Sequence, residues 1–324
     1  MKKDSMQFRT KISIPQSDFK IDYHSKIVSI GSCFAVNMAD KFDYFKFENT
    51  CNPFGIIFNP VSIEKMMYRI LNQNFFTEED IFFHNELWHC YELHSDCSNP
   101  NKDEFLVNLN AVLKTSLTQL FQASHIIITY GTSWVYRNIE SNTIVANCHK
   151  VPQSAFSKEL LTVATIEKSI QNTIDFIRKI NPSAKFIFTV SPVRHLKDGF
   201  VENQISKAHL ITAIYQILES EICNLKSATY FPSYEIMMDE LRDYRFYAED
   251  MIHPSPMAID YIWQRFAQTT ISEATHSIMN EVETIQKGLA HRPFHPHSEQ
   301  HQKFLDSLNQ KIAFLKKKMP HLRF

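Results

Sequence analysis

Glycine is scarce in this chain, only five residues in 324, so the positions where it stands carry information. Long apolar runs are absent as well. None reaches the ~18 residues of a membrane span, and no transmembrane helix is expected. The six cysteines (Cys33, Cys51, Cys90, Cys97, Cys148 and Cys223) contain no C-x-x-C pair and no Cys/His set at zinc-finger spacing. A strong charge of one sign is missing too. The formal net charge of -1 gives no electrostatic ground for expecting nucleic acid or an anionic membrane as partner. The start, Met1-Lys2-Lys3-Asp4-Ser5, leads into polar residues rather than an apolar run, so no signal peptide is expected. Reduced thiols in a cytoplasmic protein are the simplest reading.

What is present is a folded composition, 44% hydrophobic and 21% charged. Short β-rich runs alternate with helical patterns, the signal for a parallel α/β sheet. Lys26 to Ile30 is the first strand, and a helix follows with Phe34, Ala35, Met38 and Phe42 on one face. Tyr44 to Phe47 is read as a second strand. Further strands are expected at Ile126–Thr129, Phe186–Val190 and Thr229–Phe231. Helices are expected from Leu106 to Leu120, from Ile166 to Ile180, from about Ile205 through Ile211, Ile214 and Leu218, and from about Ala258. Residues 1–272 are read as this domain, with an aromatic-rich insertion at about 62–100. Residues 273–324 are read as a C-terminal helical extension whose Phe304, Leu305, Leu308, Ile312 and Leu315 must bury against the main domain or a second copy. Self-association through these helices is one expectation, and the Lys316–Lys318 run reads as a solvated helix face.

Gly31, Gly55 and Gly131 each follow an expected strand, which directs attention to one edge of the sheet. Ser32, between the first strand and its helix, sits where helix amides and dipole can stabilise an oxyanion. It is equally placed to be an N-cap, and Cys33 beside it is a competing nucleophile or a small buried residue. Asp250-Met251-Ile252-His253 then supplies a carboxylate and an imidazole three residues apart. The carboxylate can fix the imidazole tautomer and leave the other ring nitrogen to take a proton from serine. A first-strand serine with a last-loop D-x-x-H, in that order, is a stronger signal than either alone.

Gly31-Ser32-Cys33-Phe34-Ala35 is the signature of the GSCFA family, which resembles the SGNH/GDSL hydrolase superfamily. That resemblance implies a three-layer, flavodoxin-like α/β/α sandwich with Ser32 as nucleophile, Asp250 as orienting acid and His253 as base. It also implies an oxyanion hole from the N–H groups of Ser32 and Gly55. The third donor is missing from its usual place. A typical member carries Gly-x-Asn after the third strand, whereas Gly131-Thr132-Ser133 stands here. Asn147 can reach back to supply the amide, or can be a structural Asn in a turn; Gly131 and Ser133 lie in the adjoining loop.

Arg194 and His195, after the fourth strand, are candidates for recognising an anionic or sugar substrate, or simply a solvated loop. His195 is also the rival base. Histidines 84, 89 and 94, and 291, 295 and 297, lack a carboxylate at the spacing of a known metal site, so no metal and no cofactor is expected. The resulting expectation is a serine esterase acting on a small O-acyl ester, O-acetylated carbohydrate being the suggestion of the resemblance. An acyltransferase, or a catalytically silent binding protein on the same fold, is the alternative.

Overall fold

A computed structural model describes residues 9–220, 227–320 and 322–324. Cys223 and the Met1–Ser5 start lie outside the described residues. The main sheet is built from β1 (Lys26–Gly31), β2 (Glu48–Cys51), β5 (His125–Tyr130), β9 (Lys185–Val190) and β10 (Ala228–Phe231). All pairings among them are parallel, in the spatial order β2-β1-β5-β9-β10. The chain therefore runs out to one edge after β1 and then crosses back to the other. The crevice between β1 and β5 is where such sheets bind ligands.

Strand alternation divides the core in two. Val28, Ile30, Ile126, Ile128, Phe186 and Phe188 face one layer of helices: α2 (Pro60–Leu71), α3 (Lys102–Gln122), α4 (Val163–Ile180) and α5 (Phe200–Glu219). Ile27, Ile127 and Ile187 face the other layer, where α1 (Cys33–Tyr44) packs with α6 (Ser233–Glu235) and its π-helical continuation, and with α7 (Pro256–Thr270). The molecule is thus an α/β protein with a parallel sheet covered on both faces, as expected. The helical stripe of α4 comes out as read, with Ile166, Ile170, Ile174 and Ile177 all at 0% exposure.

Two local expectations are corrected and one element is added. The second strand is not Tyr44–Phe47. Tyr44 ends α1, and Phe47 stacks on Tyr23 at 4.5 Å before β2 begins at Glu48. The three aromatic residues around Lys46 belong to a helix end and a turn packing on the core, not to a ladder. Next, α5 begins at Phe200 and its start is not apolar inward: Ile211, Ile214 and Leu218 pack on the core as read, but Ile205 does not. Ile205 is 40% exposed, while Asn203, Ser206, Lys207, Leu210, Ile214 and Ile217 point inward. Finally, a second sheet is present: β6 (Trp134–Asn138) is flanked antiparallel by β7 (Thr143–Val145) and β8 (Phe156–Leu160). The 62–100 region holds part of α2 and a short hairpin of β3 (Phe82–His84) and β4 (Leu87–His89).

The tail forms two helices, α8 (Glu273–Ala290) and α9 (Glu299–Lys318). They lie on the second core: Met279, Val282, Ile285, Leu308, Leu315 and Leu322 are buried in one cluster with Phe34, Phe42, Trp263 and Phe266. The apolar stripe of α9 therefore has its partner within the chain. No described helix is long and apolar enough to cross a membrane.

Candidate active site

Ser32 stands at the hinge between β1 and α1. Its backbone is extended (φ -69°, ψ 175°), and its Oγ accepts the Phe34 N–H at 3.3 Å, so it caps the helix. The glycine before it is required by packing. At φ 140° a β-carbon on Gly31 would lie 2.1 Å from the Thr129 carbonyl oxygen of the neighbouring strand. Ser32 is 2% exposed, yet it lines a cavity of about 380 Å³ outside the carboxyl ends of β1, β5 and β9. Cys33 lines the same cavity. Burial pushes its thiol above the ordinary value, against the lowering pull of the Phe34 amide, so it remains a thiol near neutrality.

The loop before α7 carries the second half of the site. Asp250 Oδ1 accepts the N–H groups of Ile252 and His253, both at 2.9 Å, and Oδ2 lies 2.6 Å from His253 Nδ1. The backbone and side-chain hydrogen bonds from His253, then that from Ile252, hold the carboxyl down at about 2. With Nδ1 facing a carboxylate, His253 is fixed as the tautomer whose Nε2 is free to accept a proton. The imidazole opens onto the cavity that Ser32 lines.

Two families of contacts hold this edge together. Arg194, in the β9 exit, donates its backbone N–H to Ile252 O at 3.3 Å and its guanidinium to Met251 O. Its guanidinium also lies 4.2 Å from the Tyr247 ring centre. The base loop is thus braced from β9. On the other side the first turns of α5 present polar groups: Asn203 Oδ1 accepts the His195 N–H at 2.9 Å, and Ser206 Oγ accepts the Ser133 N–H at 2.8 Å. Below them Lys207, 1% exposed, donates to Gly131 O at 2.6 Å and Ser191 O at 2.8 Å. One side chain therefore ties the exits of β5 and β9. Burial pulls its ammonium down to about 7.

The family model for GSCFA matches residues 26–266, about three-quarters of the chain and the whole of this site. The chain belongs to the GSCFA family. A second model, described as the GSCFA domain protein C-terminal domain, matches residues 282–324, within the helical tail. No curated protein matches the chain.

In this GSCFA protein the cavity brings together Ser32, His253, Arg194 and His195 of the residues singled out from sequence, with Asp250 behind His253. His195 lies beside Phe58, its ring centre 5.6 Å away, and its Nε2 is buried without a hydrogen-bond partner among the described residues. Burial pulls its imidazole down to about 3, with the charges of Lys207 and His253 adding to the effect. It is a neutral ring at any ordinary pH.

The expected oxyanion donors are placed differently. The Ser32 N–H continues the β-ladder to Thr129 O at 3.0 Å. The Gly55 N–H closes a turn onto Asn52 O at 2.8 Å, and Gly55 lines a separate apolar cavity of about 20 Å³. Asn147 Oδ1 accepts the His149 N–H at 2.8 Å, the structural role, and Asn147 is not among the residues lining the Ser32 cavity. Gly131 gives its N–H to Phe58 O at 2.9 Å, and Ser133 Oγ donates to Ser206 O at 3.1 Å. Among the histidines of the insertion, His89 is structural, bonding Ser98 Oγ at 2.6 Å and His84 O at 3.0 Å. Lys207 was missed altogether. Its signal is a lysine in step with Leu210, Ile214 and Ile217 on the buried stripe of α5.

Proposed function

We propose that the chain is a serine ester hydrolase working through an acyl-enzyme. The observation that carries this reading is the 2.6 Å Asp250–His253 pair opening onto the cavity lined by Ser32. In the proposed reaction Ser32 Oγ attacks the ester carbonyl while His253 Nε2 takes the hydroxyl proton. Asp250 holds the imidazole and stabilises its charged form. His253 then gives the proton to the departing alcohol, and water, activated by the same imidazole, releases the acid.

For the oxyanion we assign two donors. The amide of Cys33, first in α1, has no carbonyl a turn behind it to bond, and it points out of a helix N-terminus. The second is the neutral His195 ring, whose Nε2 is buried with no partner among the described residues and would reach the oxygen by a small turn of the ring. Each such donor is worth ~3 kcal/mol in measured enzymes. The low basicity of His195 also weighs against it as the base. Transfer of the acyl group to an acceptor hydroxyl would proceed from the same intermediate. The cytoplasm is the compartment we propose, since the described cysteines are free thiols.

One observation favours a rival, a binding protein without turnover: Ser32 is 2% exposed and already serves as a helix cap. The two readings separate by acid-quenched mass spectrometry after mixing with an activated ester. A transient acyl adduct on the Ser32 peptide is expected, and its absence alongside absent turnover refutes the enzyme.

A further inference from the structure

We infer that the cavity beside Ser32 receives an unbranched aliphatic acyl chain of about six to ten carbons, not acetyl, an inference that rests on Ser32 being the nucleophile. The chemistry of the lining divides into two ends. Ser32, His253 and His195 come from the exits of β1 and β9 and from the base loop. The remaining wall comes largely from the second sheet and the loop after β2: Phe58, Val135, Tyr136 and Val145, joined by Val193 and Leu196. Val135, Val145 and Val193 are 2%, 4% and 3% exposed, so they are floor rather than rim.

Most of the polar groups on that wall are already committed, the Tyr136 hydroxyl and the exposed Lys197 ammonium apart. Asn59 gives its amide N–H to Ser62 Oγ at 2.9 Å and accepts the Ser62 N–H at 2.8 Å. Thr132 Oγ1 lies 2.8 Å from Ser206 Oγ and accepts the Trp134 N–H at 3.0 Å. Asp198 is held by Lys158 at 2.6 Å. A sugar ring buried there would leave most of its hydroxyls without partners, which is costly, whereas hydrocarbon loses nothing. At the other end His195 Nε2 and Arg194 Nε are buried without a partner among the described residues. A methylene is about the size of a water, with a liquid share of about 30 Å³. The cavity of about 380 Å³ thus takes a medium chain and part of the alcohol.

The test is the kcat/KM series for p-nitrophenyl acetate, butyrate, hexanoate, octanoate and decanoate, run beside fluorophosphonate labelling of Ser32. Each buried methylene should raise kcat/KM by about fourfold until the cavity is full. The optimum should fall between six and ten carbons. Val145→Phe, which fills the floor, should lower the hexanoate-to-acetate ratio by at least about tenfold, and its labelling by a small fluorophosphonate shows that it is folded. Acetate as the best substrate, with labelling intact, overturns the chain inference and leaves the nucleophile reading standing. Absence of both labelling and turnover overturns the nucleophile reading and this inference with it.

Discussion

Lys207→Met should change how stability depends on pH more than it changes stability itself. The ammonium is 1% exposed and bonded to two carbonyl oxygens, and its burial brings it down to about 7 from the ordinary value of about 10.5. Between those values the unfolded chain holds a proton that the folded one has released. Stability therefore rises with pH across that window, by up to about 1.4 kcal/mol per pH unit. Below about pH 7 the folded protein carries the full cost of a buried cation, on the order of 4–5 kcal/mol. Methionine removes that cost but leaves Gly131 O and Ser191 O without a donor, at about 1–3 kcal/mol each. The wild type should be the more stable protein at about pH 9, and its advantage should shrink by about 2–3 kcal/mol, or reverse, by about pH 6. Urea unfolding of both proteins across this range measures the difference directly. A wild-type advantage that stays constant with pH refutes the account of Lys207 as a depressed, buried amine.

The base assignment predicts that His253→Ala lowers turnover by about 10²–10⁴-fold and Asp250→Asn by a smaller factor, in steady-state assays. His195→Ala should lower kcat yet leave a working base; the reverse order of severity makes His195 the base. Arg194→Lys keeps the charge but not the planar stack on Tyr247, so a loosened base loop should lower kcat at nearly unchanged KM; a rise in KM alone makes Arg194 a substrate ligand. Truncation after residue 272 strips six buried apolar side chains from the second core, at about 1.5–3 kcal/mol each against a total stability of about 5–15 kcal/mol. The truncated chain should be unfolded by circular dichroism, and a folded, active product would show that the tail is a separate module.

The parts of the fold legible from sequence are those where the physics is local or one-dimensional. Ile126–Thr129 and Phe186–Val190 are buried on both faces, so they read as β-branched and aromatic runs without a charge, and each lies within an observed strand. The D-x-x-H pair is legible because three residues of spacing bring its members together within one loop. The second sheet is not, since Trp134–Asn138 and Phe156–Leu160 mix polar and apolar residues on short strands whose pairing depends on partners elsewhere in the chain. Backbone donors are hidden for a similar reason. Whether the Gly55 amide is free depends on the Asn52 carbonyl turning toward it, which no residue type announces. Lys207 is visible only as a breach of the apolar stripe that Leu210, Ile214 and Ile217 form.

The central claim is that Ser32 is an activated nucleophile and not merely a helix cap. Fluorophosphonate labelling of the wild type, Ser32→Ala and Cys33→Ala tests it most directly. Loss of the cap costs about 1 kcal/mol, which a domain of this size survives, so the serine variant should remain folded by circular dichroism. The account predicts stoichiometric labelling of the wild type and of Cys33→Ala, and none of Ser32→Ala. Labelling that persists without Ser32, or a wild type that never labels, contradicts it.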